Sequence, residues 1–404
     1  STVHNKNGKI IQYTKGACEI LLERSTHYLD ENGQIVPMTN DIKENIKSKN
    51  KEFADKALRV LGAAYREYEN VPEDFEAESL EKDLTFIGFV GMIDPCRPEV
   101  YDAIKNCKKA GIRPIMITGD HIDTATAIGK DLKIIKDSSE AITGAELDNL
   151  SEKELIRVIN KCSVFARVQP EHKTKIVKSL KSQELVVAMT GDGVNDAPSI
   201  KAADIGISMG ITGTDVTKGA SDMVLADDNF ATIVNAVEEG RKIYDNIRKV
   251  LQFQLSTNTA EVIYVFLASI LGVTVVTPAQ LLWINMVTDS TPGLALGMEK
   301  AEGDLMKRKP RSSKESVFSD GAGSSMIIHG VIMAFIVVLS FFIGQYIELG
   351  RYGVFESVDG MTMSFLTANL IEIFYAICMR TQKGSIFKMN TRNKWLAGSF
   401  ILSL

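Results

Sequence analysis

Long apolar segments behind residue 260 set the strongest limit on what this chain can fold into. Residues 262–276, 281–296, 326–347 and 365–379 carry few charged side chains. Three of them approach the length that a bilayer requires once their flanks are counted, and the fourth has the pattern of a helix with a polar inner face. A fifth apolar segment, residues 395–404, is too short to cross. We expect a transmembrane bundle with about four complete helices and a fifth that is truncated.

The front of the chain, to about residue 250, has the pattern of an α/β domain. Apolar strand-like segments at residues 86–93, 113–117 and 185–189 alternate with helix-like segments. The net charge of -5 is too small to favour nucleic acid as a partner. Five cysteines show neither paired spacing nor a CxxC, which favours reduced thiols and argues against a cysteine metal site.

A glycine-hinged acidic loop follows the third of these strand-like segments. Residues 190–196 read TGDGVND. The two glycines let the backbone turn tightly and approach a phosphate, and the carboxylates of Asp192 and Asp196 are hard oxygen ligands of the kind that Mg²⁺ prefers. The loop therefore predicts a magnesium and phosphate site, with a solvated acidic turn as the alternative.

Two more polar motifs stand where phosphate chemistry would need them. Thr118, Gly119 and Asp120 follow residues 113–117 and place a hydroxyl and backbone amides at the mouth of a parallel sheet, where open α/β folds bind ligands. Lys173 opens a helix-like stretch and can reach a phosphoryl oxygen as a point charge. Asp94 ends the strand-like segment 86–93.

Through these motifs the chain resembles the P-type cation-transporting ATPases of the haloacid dehalogenase superfamily, and most closely the calcium pumps of the sarcoplasmic or endoplasmic-reticulum type. The resemblance runs through MITGD, FARVQPEHK, MTGDGVNDAP, SDMVLADDNF and NMVTD. It implies that residues 1–90 are the later part of an α+β nucleotide-binding domain. Residues 91–240 would be a Rossmann-like phosphorylation domain, and residues 241–404 the stalk and the transmembrane helices.

The same resemblance implies roles for the phosphate-site residues. Asp192 would hold Mg²⁺ with support from Asp196, while Thr118 and Lys173 would bind the transferred phosphoryl group. Asp94 would help to order the loop that is phosphorylated.

Three basic residues match positions that contact ATP in this family. Lys15, in KGA, would lie beside the adenine ring, and Arg59, in ALRV, would reach the phosphates. Arg167 would order the nucleotide side of the same cleft. ATP is therefore the expected substrate and Mg²⁺ the expected cofactor.

Polar residues inside the apolar segments indicate a cation site. These residues form three sets whose members are three or four positions apart, so each set would share one helical face. The sets are Asn258 with Glu261, Asn285 with Thr288 and Asp289, and Asn369 with Glu372. A carboxylate at mid-bilayer costs roughly 2.5 to 3.5 kcal/mol. Three of them imply a compensating cation, and an all-oxygen ligand set favours Ca²⁺ over Zn²⁺ or Cu⁺. A hydrogen-bonded polar seam between helices is the alternative.

The resemblance divides these residues between two ions. Residues of the calcium pumps that match Asn285 and Asp289 contribute to a second ion, and the first ion is surrounded by those that match Asn258, Glu261, Thr288, Asp289 and Glu372. Ser290 stands where these pumps usually have glycine, and the second site also needs a carboxylate from an earlier helix, which this chain lacks. The number of ions stays open.

Residues 231–271 contain no proline and one glycine, Gly240, and so permit one long helix. At roughly 1.5 Å per residue it would span about 60 Å. Two helices hinged near Gly240 are the alternative.

Basic residues predict the orientation in the bilayer. They are concentrated in residues 299–316 and in the segment after residue 379, whereas residues 348–359 hold one arginine and several acids. The positive-inside rule then places the two basic segments and the soluble front half in the cytoplasm.

Two motifs of the family do not occur in the sequence. One is DKTGT, which bears the phosphorylated aspartate, and the other is TGES. We therefore expect this chain to be the C-terminal portion of an ATP-driven Ca²⁺ pump, with the missing N-terminal part, ATP, Ca²⁺ and the lipid bilayer as its partners. Alternatives are a pump for Na⁺, H⁺ or Mn²⁺, a soluble phosphatase of the superfamily, and a noncatalytic membrane scaffold.

Overall fold

The chain forms two compact units in a computed structural model that describes residues 1–6, 8–55, 58–72, 74–92, 95–382, 384–389 and 391–403. The first unit comprises residues 1–108 and 113–232, and the second comprises residues 109–112 and 233–404.

The first unit contains twelve strands and ten helices among its described residues. The strands are β1 (Thr2–Lys6), β2 (Lys9–Gly16), β3 (Ser25–Leu29), β4 (Ile35–Pro37), β5 (Arg59–Tyr68), β6 (Leu84–Met92), β7 (Met116–Ile117), β8 (Ala141–Thr143), β9 (Val164–Ala166), β10 (Ala188–Gly191), β11 (Ile205–Met209) and β12 (Met223–Leu225). The helices are α1 (Cys18–Glu23), α2 (Asn40–Asp55), α3 (Ala77–Leu80), α4 (Pro98–Lys109), α5 (Ile122–Asp131), α6 (Gly144–Asp148), α7 (Glu152–Lys161), α8 (Pro170–Lys181), α9 (Ala197–Ala202) and α10 (Asp215–Ala220).

The first six strands form a mixed sheet in the order β1-β2-β5-β6-β3-β4. All neighbours are antiparallel except β3 and β6. Helix α1 packs its buried side chains Leu21 and Leu22 against Ala64, Leu84 and Phe86 of the sheet. The strand expected at residues 86–93 is therefore present as β6, but its hydrogen bonds hold it in this mixed sheet.

The remaining six strands form two parallel sheets, in the orders β7-β9-β8 and β10-β11-β12. Helices follow most of these strands, so the expected α/β class is present. Among the described residues these strands form two separate sheets, in which β7 and β10 are both edge strands. Ile117 of β7 nevertheless packs against Met189 of β10 and Val177 of α8 in one apolar cluster. The two open edges are thus close to each other without being hydrogen-bonded.

These two edge strands are shorter than the sequence predicts. Only Met116 and Ile117 of residues 113–117 are in β7, and β10 begins at Ala188, with Leu185 and Val186 exposed. Each strand has a partner on one side only, so pairing is limited to the length of that partner.

The second unit is helical. Its elements are α11 (Phe230–Leu271), α12 (Pro278–Trp283), a π-helical segment (Ile284–Asp289), α13 (Ser290–Gly297), α14 (Ala322–Leu349), α15 (Val358–Cys378) and α16 (Lys394–Ser403). The predicted long helix is confirmed as α11, which runs without a break through Gly240. Helices α14 and α15 are the two in the described chain that are long and apolar enough to cross a membrane.

The apolar segment 281–296 is divided among three short elements. Pro292 lacks an amide hydrogen and its ring crowds the carbonyl of the residue four earlier, Thr288. The backbone widens into the π-helical segment just before this proline. Ser290 Oγ donates to the Asn285 carbonyl at 2.9 Å and Thr291 Oγ1 to the Val287 carbonyl at 2.8 Å. Side-chain hydroxyls therefore bond carbonyls of the irregular turn.

Two glycines of the helical unit differ in what a methyl group would meet. At Gly330 of α14 an added Cβ would lie 2.9 Å from Thr259 Cβ and 3.1 Å from the Ser256 carbonyl of α11, whereas at Gly240 it would meet nothing within 4 Å. We expect Gly330→Ala to destabilise the unit by about 1 to 3 kcal/mol through overpacking. Gly240→Ala should stabilise it by about 0.5 to 1 kcal/mol. The thermal unfolding midpoints of the two variants in detergent check both predictions. A lower midpoint for Gly240→Ala would contradict an unbroken α11 in which Gly240 is exposed.

Candidate functional site

The acidic loop after β10 is built around the buried carboxylate of Asp196. Lys173 Nζ donates to Asp196 Oδ1 at 2.6 Å, and the amides of Asp192 and Gly193 both donate to Oδ2 at 3.3 Å. Gly191 has to be glycine here, because an added Cβ would lie 2.4 Å from Asp196 Cβ. Two sequence-predicted residues, Lys173 and Asp196, are thus brought into an ion pair.

Helix α8 presents Lys173 from its first turn. Pro170 occupies a position where a missing amide hydrogen costs nothing, and the His172 ring accepts a hydrogen bond from the Gln169 amide at 3.0 Å. The other ring nitrogen of the buried His172 bonds Asp148 Oδ1 at 2.8 Å. His172 and Asp148, which the sequence analysis did not identify, therefore fix the start of the helix that carries Lys173.

Asp192 stands exposed on the same loop. Its carbonyl accepts from the Thr214 amide at 3.0 Å and from Thr217 Oγ1 at 3.4 Å, so its backbone is held. Its carboxylate has no hydrogen bond or ion pair within the described part of the chain. Mg²⁺ usually takes one or two protein carboxylates together with water and phosphate oxygens. The free carboxylate of Asp192 fits that use, whereas both oxygens of Asp196 already have protein partners.

The motif after β7 forms a tight turn. Thr118 Oγ1 donates to Asp120 Oδ2 at 2.9 Å and accepts from the Asp120 amide at 3.1 Å. The turn is bonded to the neighbouring segment, because the Arg167 amide donates to the Asp120 carbonyl at 3.0 Å and the Val168 amide to the Thr118 carbonyl at 3.2 Å. Thr118, Gly119, Asp120 and Arg167 therefore lie together, with Arg167 held at a φ of 48°.

A second support of the acidic loop was not predicted. Asp228 accepts hydrogen bonds from the amides of Gly210, Ile211 and Thr212 at 2.6, 3.0 and 2.8 Å, and from Thr212 Oγ1 at 2.8 Å. These residues precede Thr214, which holds the Asp192 carbonyl. Asp228 therefore stabilises the backbone that supports Asp192. The adjacent acids Asp227 and Asp228 in SDMVLADDNF were the available signal.

The other predicted residues of this unit are not joined to that cluster. Lys15 is exposed on β2, opposite Ala63 of β5. Arg59 begins β5, but its side chain lies outside the described part of the chain, as does the whole of Asp94. No contact of either side chain with the phosphate-site loop is therefore described.

Buried polar side chains meet in the helical unit where the sequence predicts a cation site. Asn285 Nδ2 donates to both carboxylate oxygens of Glu261 at 3.0 Å, joining the π-helical segment to α11. Thr288 Oγ1 donates to Asn369 Oδ1 of α15 at 2.5 Å. Glu261, Thr288, Asp289, Asn369 and Glu372 are all less than a tenth exposed.

Two carboxylate oxygens in this cluster have no partner. Asp289 Oδ1 and Glu372 Oε2 are fully buried without a hydrogen bond, and so is the hydroxyl of the neighbouring Tyr264. Glu261, Asp289 and Glu372 are close enough to interact electrostatically with one another. No group of three His, Cys, Asp or Glu side chains in the described residues is close enough to hold a metal ion by itself. A cation here would have to draw ligands from amides and hydroxyls as well.

Thr257, for which the sequence analysis made no prediction, occupies the place in the cluster that the helical pattern predicts for Asn258. The side chain of Asn258 is exposed and is not brought into the cluster. Thr257 is fully buried and donates to Asp289 Oδ2 at 3.2 Å. Thr257 is four residues before Glu261, so it shares the inner face of α11.

Comparisons with known proteins match the whole chain. The family described as "P-type ATPase, cytoplasmic domain N" matches residues 1–99, and "Cation transporting ATPase, C-terminus" matches residues 273–404. Calcium-transporting ATPase 1 of Bacillus cereus is 46% identical, and Calcium-transporting ATPase of Bacillus subtilis is 44% identical, each over 100% of this chain. Calcium-transporting ATPase 3, endoplasmic reticulum-type, of Arabidopsis thaliana is 37% identical over 98% of it. The chain spans 46%, 44% and 42% of these relatives, a little under half of their length.

The hydrogen bonds to Asp228 give this loop a defined pH dependence. Desolvation raises the pKa of Asp228, but the hydrogen bonds from Ile211, Thr212 and Gly210 outweigh this effect and lower the pKa to about 2. An unfolded aspartate has a pKa of about 3.9. Because the folded pKa is the lower one, the stabilisation is fully present above about pH 4 and is lost as the pH falls towards 2. Carboxyl ¹³C NMR titration should find Asp228 ionised at pH 3, with Asp228→Asn losing this part of the acid dependence. A midpoint near 3.9 would show that the hydrogen bonds do not form in solution.

Proposed function

Because the chain belongs to the P-type cation-transporting ATPases, we propose that it forms the later part of an ATP-driven Ca²⁺ pump that exports Ca²⁺ from the cytosol through a phosphoaspartate intermediate. The proposal is carried by the buried, unpartnered oxygens of Asp289 and Glu372 in an all-oxygen cluster between apolar helices. Relatives that cover the whole chain and are named calcium-transporting ATPases support the choice of ion.

On the ATP side, we assign the phosphate chemistry to the loop that follows β10. Bound Mg²⁺ would neutralise charge on the phosphates, and Asp192 offers the free carboxylate to hold it. Lys173 would share its ammonium between Asp196 and a phosphoryl oxygen, because the side chain is only partly buried. Thr118 and the amides of Gly119 and Asp120 would bind the remaining phosphoryl oxygens. Arg167, Lys15 and Arg59 are the proposed nucleotide contacts, and Asp94 would order the phosphorylated loop.

The phosphorylated aspartate would come from a strand that bears DKTGT. No such string occurs in the 404 residues. Strands β7 and β10 are neighbouring edge strands in parallel sheets, so each offers an unpaired row of backbone donors and acceptors. A parallel strand placed between them would join the two sheets into one. Its end would then lie beside Thr118 and Asp192, where the phosphoryl group is proposed to bind.

On the membrane side, the candidate Ca²⁺ ligands are the oxygens of Glu261, Asn285, Thr288, Asp289 and Glu372. The cation would bind the unpartnered oxygens of Asp289 and Glu372 and offset the repulsion between the carboxylates. Asn258 stays a candidate by resemblance alone, whereas Thr257 and Asn369 hold Asp289 and Thr288 in place.

The arrangement of domains follows from the same family. We propose residues 1–90 as part of the nucleotide-binding domain, residues 91–240 as the phosphorylation domain and residues 241–404 as the membrane part. The basic segments at residues 299–316 and after residue 379 would face the cytoplasm with the ATP site. Helix α11 is unbroken over 42 residues and would transmit movement along its length.

The first test is direct Ca²⁺ binding, measured as equilibrium ⁴⁵Ca²⁺ retention by the purified chain in detergent. Asp289→Asn keeps the size of the side chain but removes a buried charge with an unpartnered oxygen, so the affinity should fall by roughly tenfold to a hundredfold, as charged contacts of about 1.5 to 3 kcal/mol imply. Glu261→Gln should cost less, because Asn285 already satisfies both of its oxygens.

Asn258→Ala is the matched variant on α11. Its exposed side chain predicts unchanged Ca²⁺ affinity, and a loss as large as that of Asp289→Asn would mean that Asn258 joins the site when the ion binds. Unchanged Ca²⁺ binding in Asp289→Asn, with binding of Na⁺ or Mn²⁺ altered, would refute the calcium assignment in favour of another cation.

The second test concerns catalysis by residues 1–404 alone. Without the DKTGT aspartate, the purified chain should show no Ca²⁺-stimulated ATP hydrolysis and no acid-stable ³²P label from [γ-³²P]ATP. Asp94→Asn serves as the control, since Asp94 is the first carboxylate to suspect as a substitute acceptor. Label that appears in the unmodified chain and disappears in Asp94→Asn would overturn the assignment of the acceptor to a DKTGT strand.

A further inference from the structure

A pocket of about 240 Å³ lies between the end of α13 and the start of α16. Its polar lining comes from two segments, Glu299 and Lys300 after α13, and residues 392–395 at the start of α16. None of these residues belongs to the cation cluster or to the phosphate-site loop.

The one acidic side chain in the lining is neutralised. Glu299 is 1% exposed, and its two carboxylate oxygens accept from Arg380 Nε and Nη2 at 3.1 Å each. Asn393 Nδ2 donates to the same carboxylate at 2.9 Å. Burial raises the pKa of Glu299, but the hydrogen bonds from Arg380 and Asn393 outweigh this effect and lower the pKa overall. The carboxylate is therefore held ionised and paired. It therefore contributes little negative charge to the open side of the pocket.

The open side is strongly basic. Lys300, Arg392 and Lys394 are exposed, and none of the three has a hydrogen bond or an ion pair to another described residue. Three like charges around one small cavity repel one another and favour an anionic ligand. Arginine and lysine together suit a phosphate, the first through its planar fork and the second as a point charge.

The pocket is positioned at the edge of the apolar region. Helix α15 ends at Cys378, and Arg380, two residues further on, binds Glu299 in the pocket wall. Trp395 lines the pocket and is 65% exposed, and tryptophan is one of the residues enriched at membrane–water interfaces. Further along α13 and α16, Leu294, Ile401 and Leu402 expose apolar side chains. Apolar surface thus begins where the basic pocket ends.

We propose that this pocket binds the phosphate headgroup of an anionic phospholipid, with Lys300, Arg392 and Lys394 around the phosphate and the acyl chains along the exposed side chains of α13 and α16. The inference rests on the proposed function, whose orientation places this pocket at the cytoplasmic side, where basic pockets between membrane helices bind anionic headgroups. A soluble anion would contact the three charges but not the exposed apolar side chains of α13 and α16.

The experiment uses Trp395 as the reporter of its own pocket. The chain has two tryptophans, so Trp283→Phe leaves Trp395 alone. The full chain is reconstituted in phosphatidylcholine vesicles that contain either brominated phosphatidylglycerol or brominated phosphatidylcholine with the same acyl chains. Because bromine quenches tryptophan at short range, Trp395 should be quenched more strongly by the brominated phosphatidylglycerol at equal mole fraction. In the Trp395→Phe variant, Trp283 should be quenched equally by both lipids.

Removing the charges should remove the preference. Each of Lys300→Gln, Arg392→Gln and Lys394→Gln should lower the binding of phosphatidylglycerol relative to phosphatidylcholine by about fivefold, since one basic residue near an anionic surface contributes about 1 kcal/mol. The matched control is the triple variant Lys307→Gln, Lys309→Gln and Lys388→Gln, which removes three exposed charges outside the pocket. It should keep the preference, as should Lys300→Arg combined with Lys394→Arg.

Three results would overturn the proposal. Equal quenching of Trp395 by the two lipids would show that no anionic lipid is selected. The comparison also includes the pocket triple variant that combines Lys300→Gln, Arg392→Gln and Lys394→Gln. An equal loss of preference in this variant and in the control triple variant would assign the preference to general surface charge. Full displacement of the brominated phosphatidylglycerol by millimolar inorganic phosphate would identify a site for a soluble anion. Circular dichroism and gel filtration of every variant confirm that the compared proteins are folded.

Discussion

The central constraint on the helical unit is the burial of three carboxylates between its helices. Glu261, Asp289 and Glu372 come from three different elements and lie among apolar side chains, where an unpaired charge is costly. Amides and hydroxyls satisfy some of their oxygens, but not Asp289 Oδ1 or Glu372 Oε2. No basic side chain is hydrogen-bonded or ion-paired to any of the three within the described residues. Such a cluster is far easier to explain as a place that receives a cation than as a device that stabilises the fold.

The local backbone at this cluster departs from a regular helix for an identifiable reason. Pro292 interrupts the hydrogen-bond ladder, and the π-helical segment before it carries Asn285, Thr288 and Asp289. Irregular helical turns are often found at functional sites. The soluble unit shows a related arrangement, because Asp196 accepts from the amides of Asp192 and Gly193. Asp228 holds residues 210–212, which precede the threonine that bonds the Asp192 carbonyl, and the carboxylate of Asp192 stays free. In both places polar contacts hold the backbone while selected oxygens stay available.

Sequence patterns predicted the elements that depend on local periodicity. The long helix α11, strand β6 and the two membrane-length helices α14 and α15 follow from apolar spacing and from the absence of proline. The motifs identified Lys173 and Asp196 as separate site residues, but not the ion pair between them. Thr257, His172 and Asp228 were missed because their roles depend on tertiary contacts. The prediction for Asn258 assumed that residues three apart share a buried face, whereas the inner face of α11 passes through Thr257 and Glu261.

Sheet topology could not be predicted from local periodicity either, because β6 takes its hydrogen-bond partners from the mixed sheet.

The most direct measurement is a crystal structure of this chain grown with Ca²⁺, compared with one grown in a chelator. We expect a Ca²⁺ ion at about 2.3 to 2.6 Å from Asp289 Oδ1 and Glu372 Oε2, with further oxygens from the π-helical segment completing the coordination. That density should vanish in the chelator crystal. Identical density in both crystals, with the two oxygens joined by a hydrogen bond and no ion between them, would contradict the claim that this cluster exists to bind a cation.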